Sequence, residues 1–237
     1  MKCKNNLEGI IAVQERGLNS NGNHTNDQLR KCCEQWRQKF QQMNQGYLMR
    51  LLPEITAEGD HLILYHFGRK LAVHRETGEI TAPADQEPVS CWEKINVYTL
   101  FGYVSPTAHL QNEWVPFDKL KRTAPFYQAF RKSIIEPFAR TFTGHTQELE
   151  RACTALGGEK LPYSDAGYEI KAFSCIPLRF LYWEGDEEFP SQGNILFDAS
   201  ATDFIHEESI VSIAAVGFGR LAKEAGLPLD RSAFPIC

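Results

Sequence analysis

The sequence predicts an α+β fold, with antiparallel strands in hairpins packed against several amphipathic helices. Three patterns carry that expectation. The segments HLILYHF (61–67) and KLAVHRE (70–76) flank a Gly68-Arg69 turn and read as a hairpin. Leu29, Cys33, Trp36, Phe40, Met43, Tyr47 and Leu51 recur at steps of three and four, which makes one stripe on a 3.6-residue helix. Phe126, Phe130, Ile134 and Phe138 repeat four apart and mark a second helix.

The elements follow in order. Residues 1–25 read as a short helix, about Leu7 to Arg16, and a mobile linker rich in Asn, Gly and Ser. Residues 26–237 read as one α+β domain. A long helix is expected from Asp27 to Leu52, with Asn26 as N-cap, Gly46 as a soft point and Pro53 as its stop. The hairpin comes next. Ser90-Cys91-Trp92-Glu93 is a capping box that opens a helix to about Tyr103. A short strand is expected at Glu113 to Pro116. The helical pattern of Pro125 to Phe142 contains Pro137, which kinks or breaks it. Thr146 to Leu156 is a helix closed by Gly157-Gly158. Tyr168 to Trp183 reads as two strands broken near Cys175 to Pro177, and the last helix runs from Glu207 to Ala225, stopping at Gly226. All strands are expected in one sheet with the helices on one face. An internal echo links LAVHRETGE…SCWEKINVYTLFGYV (from Leu71) to LRFLYWEGDEE…HEESIVSIAAVGFG (from Leu178). It allows a second organisation, two similar lobes at about 55–110 and 165–225 meeting at a groove, where small ligands commonly bind.

Bulk composition excludes some classes. The formal net charge is −5, opposite to the basic face that phosphates need, so nucleic acid is not an expected partner. No apolar run approaches the ~18 residues of a membrane span, and the apolar core Ile10 to Val13 is too short for a secretory leader. Seven cysteines occur with no C-x-x-C spacing, which fits reduced thiols in the cytoplasm.

Charge is concentrated near the C-terminus. Glu184, Asp186, Glu187, Glu188, Asp198, Asp203, Glu207 and Glu208 fall in one stretch without Lys or Arg, contributing −8 against +3 for the rest of the chain. Phe189, Ile195, Leu196, Phe197, Phe204 and Ile205 are threaded through it, unlike a disordered acidic tail. A ligand site is expected at Trp183, Glu184, Asp186, Glu188, Asp198 and Asp203. The corresponding metal set is Asp186, Glu188, Asp198 and Asp203 with His206, since hard cations need several oxygens and His adds nitrogen for a transition metal. Glu188 and Asp198 are the candidate acid–base pair, through like-charge crowding. The competing reading makes these residues turn formers and caps, with Glu207 and Glu208 stabilised at a helix N-terminus by the macrodipole. His66 and His74 are candidate axial ligands for a tetrapyrrole metal, set among aromatic residues. Trp114 and Trp183, each beside a glutamate, could cage an organic cation or anchor the core. Cys32-Cys33 is a vicinal pair open to packing or redox readings.

The run LYWEGDEEFP (181–190), then NILFDASATDFI (194–205), then an Ile/Val-rich helix, resembles the signature of the domain of unknown function 3786 family. The hairpin, the EWVPF segment (113–117) and the Phe126–Phe130 helix match in order and spacing, extending the resemblance over about residues 27–222. It implies a soluble protein of anaerobic bacteria or archaea and transfers no catalytic residue. Some relatives carry an iron–sulfur module and lie near corrinoid or cofactor genes; this chain has no such cysteine module. The expected function is a cytoplasmic small-molecule- or cofactor-binding accessory protein in anaerobic cofactor metabolism, with a divalent metal or a tetrapyrrole as candidate cofactor. The alternatives are a metal-dependent hydrolase or lyase using the acidic cluster and an acidic protein–protein adaptor. The expected partner is a small molecule or a protein, with no membrane involved.

Overall fold

In the computed structural model, which describes residues 22–85 and 87–229, the first amphipathic stripe folds as α1 (Gly22–Phe40). The helix expected at Leu7 to Arg16 lies outside the described residues, and α1 begins inside the segment read as linker. Leu29, Cys32, Trp36 and Phe40 are buried, so Cys32 takes the core position assigned to Cys33, which turns to a cleft. The expected helix from Asp27 to Leu52 is two helices. After a turn at 41–44, the Asn44 side chain accepts from Tyr47 N at 2.9 Å and starts α2 (Gln45–Leu51). A free N-cap inside a stripe of correct period restarts the helix in a new direction.

Strands β1 (Thr56–Glu58), β2 (His61–His66), β3 (Arg69–His74) and β4 (Ile80–Thr81) form an antiparallel meander. The β2–β3 turn is Phe67-Gly68, one residue earlier than expected. Both have positive φ, 49° and 73°, as the tight hairpin loop with native twist requires. Helix α3 (Cys91–Tyr103) has the expected capping box. Ser90 Oγ accepts from Glu93 N at 3.2 Å, and Glu93 Oε2 accepts from Ser90 N at 2.9 Å.

Further along come β5 (Trp114–Pro116), α4 (Tyr127–Phe130), a π-helical turn at Arg131–Ile135, and α5 (Glu136–Phe142). Pro137 has no N–H for the Ser133 carbonyl, and the wider turn ahead of it accommodates that loss without ending the helix. Helix α6 (Thr146–Ala155) is followed by Gly157, at φ 74°. Then come β6 (Glu159–Lys160), β7 (Ala166–Phe173), β8 (Ile176–Trp183), β9 (Gln192–Asp198), α7 (Ala201–Phe204) and α8 (Glu207–Glu224).

Among the described residues the strands make two antiparallel sheets, β1-β2-β3-β4 and β5-β9-β8-β7-β6, rather than the single sheet expected. Strand β9 lies inside the acidic stretch read as loop. Each meander is preceded by a helix and followed by one: α1 packs on α3 beside the first, α6 on α8 beside the second, and α3 and α8 pack on each other. The sheets approach where Phe67 N donates to Ala172 O at 3.0 Å. A Cβ on Gly217 of α8 would lie 2.7 Å from the Phe67 ring and 2.8 Å from the Phe180 ring, so only glycine lets these two rings close on the helix backbone. Among the described residues, no helix is long and apolar enough to cross a membrane.

Candidate functional site

The acidic stretch does not converge. Asp186 sits in the β8–β9 connection and accepts from Glu188 N and Phe189 N, both at 2.8 Å, a side-chain-capped turn. Those two backbone donors hold its carboxyl below the usual range. Glu188 is exposed next to it. Glu184 turns the other way and accepts from Thr146 Oγ1 (2.7 Å), Tyr182 Oη (2.9 Å), Ser191 Oγ (3.0 Å) and Gly144 N (3.1 Å). Burial pushes its carboxyl up, and these four donors overcome it, leaving it at about 2. Asp198, buried at the end of β9, accepts from Asn112 N (2.7 Å), Ser200 N (3.0 Å) and Gln111 N (3.1 Å), and from Ser200 Oγ. Burial again opposes its charge, and the donors outweigh it, so it titrates below the usual range. Asp203 pairs with Lys121 at 2.9 Å. Glu184, Asp186, Asp198 and Asp203 are thus each held by separate partners, which is the turn-and-cap arrangement. Trp183 is partly exposed at the end of β8. Trp114 has its face covered by Arg179, 3.7 Å from the ring centroid, so a cation already of this chain occupies the proposed cage there.

The histidines also fall apart as a set. His206 is the N-cap of α8, its Nδ1 accepting from Glu208 N at 3.3 Å. It stands with the helix it caps and not with Asp186 or Asp198. Among the described residues no group of three or more His, Cys, Asp or Glu is placed to hold a metal ion. His66 and His74 cannot clasp one macrocycle. His66 pairs with Arg69 at the turn of the hairpin and His74 with His61 at its open end. Five steps separate the two pairs, so the rings stand on opposite faces about 17 Å apart along the strand. His66 is buried against Phe67 and Phe173, with Nε2 3.4 Å from Asn96 Nδ2. Burial pushes its imidazole down to about 3, so it is neutral.

The arrangement with chemical capacity lies elsewhere, where α1 and α3 meet beside β4. A cleft of about 320 Å³ is lined there by Arg30, Cys33, Arg37, Cys91, Lys94 and Tyr98, among others. Cys91 occupies the first position of α3, directly after the Ser90 cap, where the helix N-terminus favours negative charge. Cys33 lines the same cleft from α1, and both are free thiols. The Cys33 contact chiefly, helped by the Lys94 and Arg30 charges, lowers Cys91 to about 6 against the opposing effect of burial. The same contact and burial push Cys33 up. Arg37 is anchored on Glu34, at 2.8 and 2.7 Å, and on the Thr77 carbonyl. Tyr98 Oη donates to Gly78 O at 2.6 Å. One wall of the cleft is therefore fixed, and Arg30 and Lys94 have no carboxylate partner among the described residues.

Two groupings were not read from the sequence. One is this cleft. Its local signal was a cysteine at the first position of a capped helix with Lys94 one turn on; its other sulfur is about sixty residues away. The second is an ion network centred on Arg69, buried where it meets Glu93. Arg69 bonds Asp85 at 2.7 and 2.8 Å, Glu93 at 2.9 and 3.1 Å, and the Glu87 carbonyl at 2.6 Å. It ties β3 to the N-terminus of α3. No curated protein and no solved structure matches the chain. Residues 48–220, including the whole acidic stretch, match the family described as a domain of unknown function (DUF3786), and this chain belongs to that family.

Proposed function

We propose that this chain is a cytoplasmic binding or accessory protein that takes a small anionic molecule, a cofactor or its precursor, into the cleft between α1 and α3 without turning it over. The observation that carries the reading is that Arg30 and Lys94 line a 320 Å³ cleft without an ion pair among the described residues, while of its two carboxylates, Glu34 and Glu79, the first is already held by Arg37. Lys94 is half-buried and Arg30 exposed at the rim, and a partly desolvated cation favours an anion more than it would in open water. Of the candidate acid–base pair, Asp198 is committed to orienting backbone and hydroxyl donors while Glu188 stands exposed on the β8–β9 connection, which supports binding over acid–base chemistry at that end. Free thiols among the described cysteines support a reducing compartment. The link to anaerobic cofactor metabolism rests on the family resemblance.

The test is a thermal-shift series with inorganic phosphate, pyrophosphate, nucleotides and di- and tricarboxylates. At about a hundredfold excess over Kd, a true ligand adds about 2.7 kcal/mol and raises Tm by roughly 5–10 °C for a chain of this size. The shift is expected to vanish in the Arg30→Ala/Lys94→Ala double variant. A series that moves nothing, or a shift that survives in the double variant, removes this reading.

An acidic docking face is the second reading, favoured by one observation. Phe189 is 63% exposed and Trp183 39% exposed on the loop that carries Asp186, Glu187 and Glu188. A basic partner held there is expected to lose affinity steeply with salt. Binding that ignores both salt and Phe189→Ala counts against it.

A further inference from the structure

We propose that Cys33 and Cys91 form a redox-active dithiol, in which the Cys91 sulfur is oxidised by a hydroperoxide and the Cys33 thiol resolves it into an intramolecular disulfide. The two cysteines come from different helices that pack on each other, and both line the wall of one open cleft. Both side chains are partly exposed, while Cys32, Cys153 and Cys175 are buried. An oxidant of two heavy atoms therefore reaches this pair before the other described cysteines. The inference concerns the sulfurs alone and does not depend on a ligand filling the cleft.

The groups around the pair divide the roles. Cys91 has the N-terminal end of α3 behind it and Lys94 and Arg30 near it, so it carries the negative charge and attacks. Cys33 sits mid-helix on α1, and its neighbour Cys91 and burial together hold it as the neutral thiol. Reactive cysteines occur in such electropositive, partly exposed surroundings, and buried ones are inert. In the first step the Cys91 thiolate attacks one peroxide oxygen. An S–O bond forms, the O–O bond breaks, and the departing hydroxide takes up a proton to leave as water. The product is Cys91 sulfenic acid. In the second step the Cys33 sulfur attacks the Cys91 sulfur, the S–O bond breaks, and hydroxide leaves with the Cys33 proton as a second water. Two thiols and one hydrogen peroxide give one disulfide and two waters. A small dithiol reverses the change by exchange and is itself oxidised to its cyclic disulfide.

The full-length chain is treated with one equivalent of hydrogen peroxide near pH 7, its remaining thiols are alkylated, and peptides are mapped by mass. The expected product is a peptide pair joined through Cys33 and Cys91, lost on dithiothreitol. Untreated protein should alkylate at Cys91 at least about tenfold faster than at Cys153 or Cys175, which serve as references within the same folded molecule. In Cys33→Ser, the oxidised form should stop at a sulfenic acid on Cys91 that dimedone traps. Joining of another pair, or alkylation of Cys91 no faster than the buried references, overturns the proposal. Both readings come from the wild-type chain, so a variant that fails to fold leaves the proposal still decidable. The anion-binding reading is judged separately, because it is scored by thermal shift in Arg30→Ala/Lys94→Ala with both cysteines intact.

Discussion

Glu184 and His66 show the same physics with opposite electrostatic needs. Glu184 keeps its charge because four donors surround it; His66 loses its charge because burial leaves it only the Asn96 amide. Both have folded-state values below their ordinary ones, so each contributes stability that is whole above the ordinary value and is lost as pH falls toward the folded one. For His66 the window runs from 6.5 down to about 3, and for Glu184 from 4.5 down to about 2. Between pH 6.5 and 4.5, then, His66 contributes a slope of up to one proton, about 1.4 kcal/mol per pH unit. Urea midpoints of wild type and His66→Asn are expected to converge as pH falls through that range. Glu184→Gln should instead change only the limb below 4.5, and parallel profiles throughout would contradict both assignments. The sequence displayed the acids correctly as a cluster in composition. It did not show that they diverge, because Asp186 closes its own turn while Asp198 reaches the loop at 111–112, which is far away in sequence.

At the scale of elements, α3 was the most legible. Its start was spelled by Ser90 and Glu93, three residues apart, and both hydrogen bonds of the box are present. Ser90→Ala is expected to cost about 1 kcal/mol, read as a drop in urea midpoint with an unchanged slope. Helix α1 was legible in period but not in phase. Cys32 and Cys33 are both small and apolar, so a stripe through either fits the pattern, and only the packing of α1 on α3 decides between them. That choice put Cys33 in the cleft. Strand β9 was hidden for a different reason: carboxylates and a glycine frame its apolar run, and their turn chemistry at 184–190 masked the pairing with β8.

For the whole molecule, a four-strand meander occurs twice, and the two segments that echo each other in sequence fall on β3 with α3 and on β8 with α8. What the sequence could not supply was the separation into two sheets, since strand neighbours are set by contacts distant along the chain. The junction is sterically exact at Gly217, between Phe67 of one meander's turn and Phe180 of the other's third strand. Gly217→Ala should overpack that junction by about 1–3 kcal/mol while unfolding stays a single transition, because both halves share it. Two separate transitions in the variant would mean the halves are held mainly by something else. The π-helical turn at Arg131–Ile135 carries a consequence for chain length. Each residue of helix advances the side chains by about 100°, and Phe138 just beyond it meets the rings of Phe142, Phe180, Tyr182 and Phe218. Losing one residue from that turn would swing Phe138 away from Phe180, Tyr182 and Phe218, so relatives of different length should accommodate their gaps in the surface connections and leave this five-residue spacer intact.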